Sequence, residues 1–212
     1  MMIKLPTDCE KILVAVASPV EETLWCGGYL LSLEHTKHLE IISLTMPKTK
    51  ERKIAFQRAC MAYGAHAGSI RIEDTVDRPP LDIEIISELL TETAMLKSYD
   101  LIMTNNLNGE YTSNRRHQET HKAVKECLDK GLLECGYLVN FCYTDNDGVE
   151  LPKPKKQGEK MKLEADLWKK KYLILRKIYN FSSDSWEART TPTIESFKLT
   201  AQVRTSVSLT AA

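Results

Sequence analysis

Short apolar runs and helical stripes alternate along the first two thirds of the chain. The run KILVAVA, Lys11 to Ala17, is apolar and β-branched without alternation, which suits a strand buried on both faces of a parallel sheet. From Glu22 to Leu33 the apolar positions Leu24, Leu30, Leu31 and Leu33 fit a helix, and Gly27 and Gly28 would let it pack closely on the sheet. LEIISLTM (39–46) predicts the next strand, and Lys50 to Tyr63 a helix stopped by Gly64. Ser69 to Ile72 reads as a short third strand, followed by a polar turn through Asp77, Arg78, Pro79 and Pro80 and a helix from Asp82 to about Leu96. DLIMT (100–104) is a fourth strand. The polar stretch NNLNGEYTSNRR then separates it from a helix covering His117 to Asp129. YLVNFCYT (137–144) is a further strand.

Beyond it, LPKPKKQGEK (151–160) is a basic, Pro-containing connector expected to be exposed. A helix from Met161 to about Tyr179 would turn Leu163, Leu167, Ile174 and Ile178 to the core. The Thr- and Ser-rich segment 198–212 is expected to fray. The alternation predicts one α/β domain over residues 1–212, a three-layer Rossmann-like sandwich with a mainly parallel sheet and right-handed crossovers. Open sheets of this kind place ligands at the C-terminal ends of their strands, so the polar ends after KILVAVA and DLIMT should lie near each other.

Composition narrows the partners. Among 212 residues, 29 Lys and Arg balance 29 Asp and Glu, so no overall field draws the chain to nucleic acid or an anionic membrane. The six cysteines form no CxxC pair and sit mostly in apolar runs, which points to a reduced, cytoplasmic setting. The first apolar run follows Asp8 and Glu10 and spans seven residues, too short for a membrane span.

Several residues carry candidate chemistry. Glu21 and Glu22 open a helix, where acidic groups favour the macrodipole and need no metal; they could equally supply a metal ligand and a base. His117 and His121 stand four apart and face one side of a helix, a geometry that holds a metal when a carboxylate converges. Arg115 and Arg116, beside Tyr111 and Asn114, could grip a phosphate or carboxylate, or form a solvated loop tip. Ser18 lacks a Gly-x-Ser-x-Gly elbow, and Pro19 after it favours a tight turn. Trp25, Trp168, Tyr172 and Trp186 read as packing residues without a site role. His35, His38 and His66 read as surface residues.

Four segments together resemble the PIG-L-like (N-acetylglucosaminyl-phosphatidylinositol de-N-acetylase, LmbE-like) family: ILVAVASPVEETLWCGG, RKIAFQRACMAYG, DLIMTNNLNGEYTSNRRH and KKKYLILRKIYNFSSDSWEARTTPTIESFKL. The resemblance spans nearly the whole chain in order. It implies a Rossmann-like zinc-dependent amidase, with zinc held by the His and second Asp of the family's first motif and the last His of its third. Those positions are Ser18, Glu21 and His117 here. The family's base is Val20, which cannot take a proton, and its oxyanion-stabilising His is Asn114, whose amide can still donate. Arg52 matches the family's second motif.

Two functions follow from the resemblance. In one, the metal and base positions are degenerate, and the old pocket binds a sugar-like ligand or a protein partner. In the other, a metal-dependent N-deacetylase acts on an N-acetylated sugar or related small molecule. Zinc would then be held by Glu21 and His117, completed by Ser18 or His121, with Glu22 as the base. Helix 161–179 and the polar tail offer surfaces for homo-oligomerisation.

Overall fold

The computed structural model describes residues 5–6, 8–45, 49–73, 79–111 and 114–202, with the backbone alone at 201 and 202. Five parallel strands form its centre: β1 (Lys11–Val16), β2 (His38–Thr45), β3 (His66–Ile72), β4 (Ser98–Thr104) and β5 (Glu134–Phe141). Two further strands, β8 (Glu159–Lys162) and β9 (Ile194–Gln202), complete a seven-stranded sheet of order β3-β2-β1-β4-β5-β9-β8. β9 runs antiparallel to β5, and β8 antiparallel to β9. Between them in the chain, β6 (Tyr143–Thr144) and β7 (Lys153–Pro154) make a small separate ribbon.

β1 shows why the centre is where it is. Ile12, Val14 and Val16 enter one core cluster while Leu13 and Ala15 enter the other, so the strand's period of two feeds both faces. Each such aliphatic burial is worth about 1.5–3 kcal/mol. One face is covered by α1 (Glu21–Leu31), α2 (Lys50–Ala62), α5 (Ala165–Leu173) and the π-helical turn Ile174–Ile178 that continues α5. The other is covered by α3 (Ile83–Thr93) and α4 (Arg115–Asp129). The chain is thus a three-layer α/β sandwich with a mainly parallel sheet.

Local chemistry sets the helix ends. Thr49 caps α2 by accepting the Arg52 N–H, and Gly64, at φ 70°, stops it while Ala65 N–H donates back to the Cys60 carbonyl at 2.8 Å. Asp82 and Asn114 cap α3 and α4 through their side chains.

The C-terminal third departs from its sequence pattern. The predicted helix 161–179 is divided: residues to Lys162 pair with β9, and the helix begins at Ala165. Within segment 151–160, Pro152 is buried and Lys153–Pro154 form β7, so only part of the connector is exposed. Residues 198–202 of the segment expected to fray continue β9, pairing Lys198 with Asn140 and Leu199 with Val139. The remainder, 203–212, lies outside the described residues, as does the turn at Asp77 and Arg78. Among the described residues, no helix is long and apolar enough to cross a membrane.

Candidate functional site

β1 has β2 on one side and β4 on the other, so the chain reverses its direction of growth between β1 and β4, where a crevice opens beyond the strand ends. The two polar strand ends predicted to be neighbours are clamped together: Ala17 N–H donates to Asn105 Oδ1 at 2.9 Å. Two helix N-termini converge there, α1 carrying Glu21 and α4 carrying His117.

Glu21 Oε1 lies 2.9 Å from His117 Nε2, and His117 Nδ1 is paired with Glu110 Oε2. A carboxylate beside each ring nitrogen favours the charged imidazolium form of His117. Burial alone would lower its pKa, but the charges of Glu21 and Glu110 outweigh that and raise it to about 10. All three groups are nearly or fully buried. Asn105 Nδ2 donates to Glu21 and Glu110, both at 3.0 Å, and Asn106 N–H adds a 2.6 Å bond to Glu110. Tyr111 stands edge-on to the imidazole, ring centroids 5.1 Å apart. It also contacts Trp25 at 6.0 Å and Trp186, on the short helix α6 (Trp186–Thr190), at 4.9 Å.

The other candidates disperse. Glu22 turns away from this cluster. It is fully buried and accepts from Val20 N–H, Thr23 Oγ1 and Tyr179 Oη, at 2.9, 2.7 and 2.6 Å. Burial raises its pKa, and those donors hold the rise back. Ser18 Oγ is 3.1 Å from Thr45 Oγ1. Asn114 Oδ1 caps α4 by accepting Arg116 N–H at 3.0 Å, and its amide points to Tyr111 Oη at 3.4 Å. His121 Nδ1 lies 3.0 Å from the Asn105 carbonyl, and burial lowers its pKa. Arg52 and Arg115 are exposed. Arg116 is buried, with Nη1 donating to the Pro79 carbonyl and to Glu119, so it holds the 79–81 segment against α4.

Zinc can be tested against this donor set. The nitrogen a metal would take from His117 is hydrogen-bonded to the carboxylate that would be its co-ligand, and the other nitrogen is paired as well. Ser18 has its partner on Thr45. Among the described residues, no group of three or more His, Cys, Asp or Glu is arranged to hold a metal ion. With Ser18 in place of an imidazole, this donor set falls one ligand short of the three residues that a catalytic zinc takes.

Val20, at the family's base position, has φ 89° and ψ −24° and precedes α1 with no side-chain cap. A β-branched residue in left-handed geometry is strained by roughly 1–2 kcal/mol.

No protein-family model and no curated protein matches the chain. Solved structures do. N,N'-diacetylchitobiose deacetylase from Pyrococcus horikoshii superposes at a TM-score of 0.67 with 14% identity, covering 91% of this chain and 84% of that one. Dbv21, an antimicrobial pseudoaglycone deacetylase, gives 0.59 and 14%, covering 82% and 84%. GalB, the 4-carboxy-2-hydroxymuconate hydratase from Pseudomonas putida KT2440, gives 0.61 and 14%, covering 85% and 83%. The chain has the fold of the PIG-L-like deacetylases. Within this deacetylase fold, Glu21, Tyr111 and His117 are the sequence candidates that the crevice gathers. It adds Asn105, directly after β4, and Glu110, five residues further along the same polar loop; the signal for both was their place in a loop expected at a ligand-facing strand end.

Proposed function

We propose that this chain is a non-hydrolytic member of the deacetylase fold that binds a sugar-like ligand in the crevice at the ends of β1 and β4. The observation that supports this is the direct Glu21–His117–Glu110 contact at a site where Ser18 and Val20 stand in place of a metal-binding imidazole and a proton-accepting carboxylate. Val20 cannot accept a proton, Glu22 is turned toward Tyr179, and Glu21 and Glu110 are engaged with His117, so none of these carboxylates stands free to activate water. The rings of Tyr111 and Trp186 at the rim offer faces of the kind that pack on a sugar ring. A fold that carries both deacetylases and a hydratase among its similar structures does not dictate one chemistry. Six free, buried cysteines accord with a cytoplasmic setting.

The test pairs metal analysis of protein purified without chelator with an assay of acetate release from N-acetylglucosamine derivatives. No bound metal and no acetate release are expected. Stoichiometric zinc that is lost in His117→Ala, together with acetate release, would establish the metal-dependent N-deacetylase instead.

A further inference from the structure

The sheet ends in two unlike edges. At one, β8 is short and polar, and Lys160 and Lys162 are both exposed, so a second copy laid along it would bring like charges together. At the other, β3 pairs with β2 on its inner side, and among the described residues no strand pairs its outer side. Its residues His66 to Ile70, HAGSI, include no lysine, arginine, acid or proline. Arg71, at φ 65°, interrupts the strand just beyond, where its pairing with β2 also shifts register. His66–Ile70 therefore presents outward N–H and C=O groups without the charges or prolines that usually guard an edge strand.

The α3 side of this edge is apolar. Gly68 faces Ile42 and Thr93 there, and strand alternation turns Ile70 to the same side. Ile70 and Ile72 pack with Leu81 and Ile83 on a core cluster whose buried members are Leu44, Ile86 and Ala123. All four of those outer side chains stay partly exposed, so the chain by itself does not close this cluster. We propose that β3 pairs with β3 of a second copy, antiparallel and centred on Gly68, so that one sheet runs through both protomers. The segment suits its own copy. A two-fold axis at Gly68 sets Ala67 opposite Ser69 of the partner subunit and His66 opposite Ile70 of the partner subunit, with no like charges opposed. It also places the two α3 faces on one side of the joint sheet, where the half-buried isoleucines of each copy extend the apolar cover of the other. β2 separates β3 from β1, so both crevices stay open, at opposite ends of the joint sheet. The pairing is independent of the ligand-binding function proposed above.

Sedimentation velocity of the full chain over a range of concentrations at low salt tests it. The wild type is expected to pass from monomer to dimer as concentration rises. Ala67 is exposed and lies on the strand face away from α3, so a charge placed there leaves the fold intact. In the paired strands the two copies of position 67 sit diagonally, about 7–8 Å apart, within reach of long side chains. Ala67→Lys alone and Ala67→Glu alone are each expected to weaken the dimer severalfold, because like charges then meet across the seam. An equimolar mixture of the two variants is expected to recover it. A wild type that stays monomeric at its highest soluble concentration overturns the proposal. So does a dimer that neither substitution weakens, which would put the interface on another surface such as α5. If both variants dissociate and their mixture stays dissociated, the antiparallel pairing about Gly68 is overturned.

Discussion

His117 sits between Glu21, 2.9 Å from Nε2, and Glu110, paired with Nδ1, at a point where two helix N-termini and the end of β4 meet. Removing the imidazole would leave two buried carboxylates facing each other without the cation they share. Such truncations cost about 3–5 kcal/mol, because a charge is left buried and uncompensated. His117→Ala is therefore expected to lower the urea midpoint by an amount in that range. A loss below about 1 kcal/mol would mean that the carboxylates are neutralised by some other route.

The same cluster predicts a pH dependence. Burial pulls the His117 pKa down, Glu21 and Glu110 pull it up further, and the result is about 10, against about 6.5 in an unfolded chain. A folded-state pKa above the unfolded one means that the native state binds the extra proton. Its contribution is full below about pH 6.5, falls as pH rises beyond that, and is gone once pH passes about 10. Buried thiols such as Cys60 also lose stability in alkali, because burial holds their pKa up, so the wild-type slope alone does not isolate His117. The difference between wild type and His117→Gln does: it should narrow steadily from pH 6.5 to 10. A difference that stays constant over this window would contradict the imidazolium assignment.

Zinc should not stabilise the folded chain. A ligand at one hundred times its Kd raises stability by about 2.7 kcal/mol, so even modest zinc binding would appear as a clear rise in Tm. Thermal unfolding with and without a molar excess of zinc is expected to superimpose. A rise that vanishes in His117→Ala would show that the metal displaces the Glu21–His117 bond.

The parallel centre was legible because β1, β2 and β4 are short apolar runs whose two faces feed two separate cores. β8 and β9 were not, since EKMK has no apolar run and β9 buries the polar Glu195 and Ser196. Their pairing depends on contacts distant in sequence, which no local period records. The same applies to the site. Glu21 and His117 were legible from the family motifs, whereas Glu110 acts through a fold-imposed approach to His117 that its neighbours in a polar loop do not announce. Arg116 was misleading for a related reason: in a loop-to-helix sequence its charge suggested a ligand, but its partners are Pro79 and Glu119.

A second buried ion pair ties the C-terminal third to the site helix. Lys171 Nζ donates to Glu195 Oε1 at 2.7 Å and to the Leu24 carbonyl at 2.8 Å, while the Gly28 and Tyr29 N–H groups donate to Glu195, both at 2.7 Å. Both side chains are fully buried. Lys171→Met would leave Glu195 without its cation and is expected to cost about 3–5 kcal/mol in chemical unfolding. Lys171→Met combined with Glu195→Gln should cost less than Lys171→Met alone. A double variant as unstable as the sum of its parts would show that the charge pairing contributes nothing.

Gly28 is where this clip demands the absence of a side chain. Gly27 and Gly28 were expected to bring α1 close to the sheet, and their closest approach is to the C-terminal third and α2's end. A Cβ at Gly28 would fall 2.5 and 2.6 Å from the Leu163 methyls and 3.1 Å from Glu195 Oε1; one at Gly27 would fall 2.8 Å from Tyr63 Oη. Ala in a helix interior normally gains up to about 1 kcal/mol over Gly, so propensity alone predicts stabilisation. Overpacking a filled core costs about 1–3 kcal/mol, and the buried Leu163 has little room to yield. Gly28→Ala should therefore be net destabilising by roughly 1–2 kcal/mol, and Leu163→Ala placed in the same chain should recover part of that loss. Gly28→Ala that raises the urea midpoint would show that Leu163 and α1 are not packed this closely.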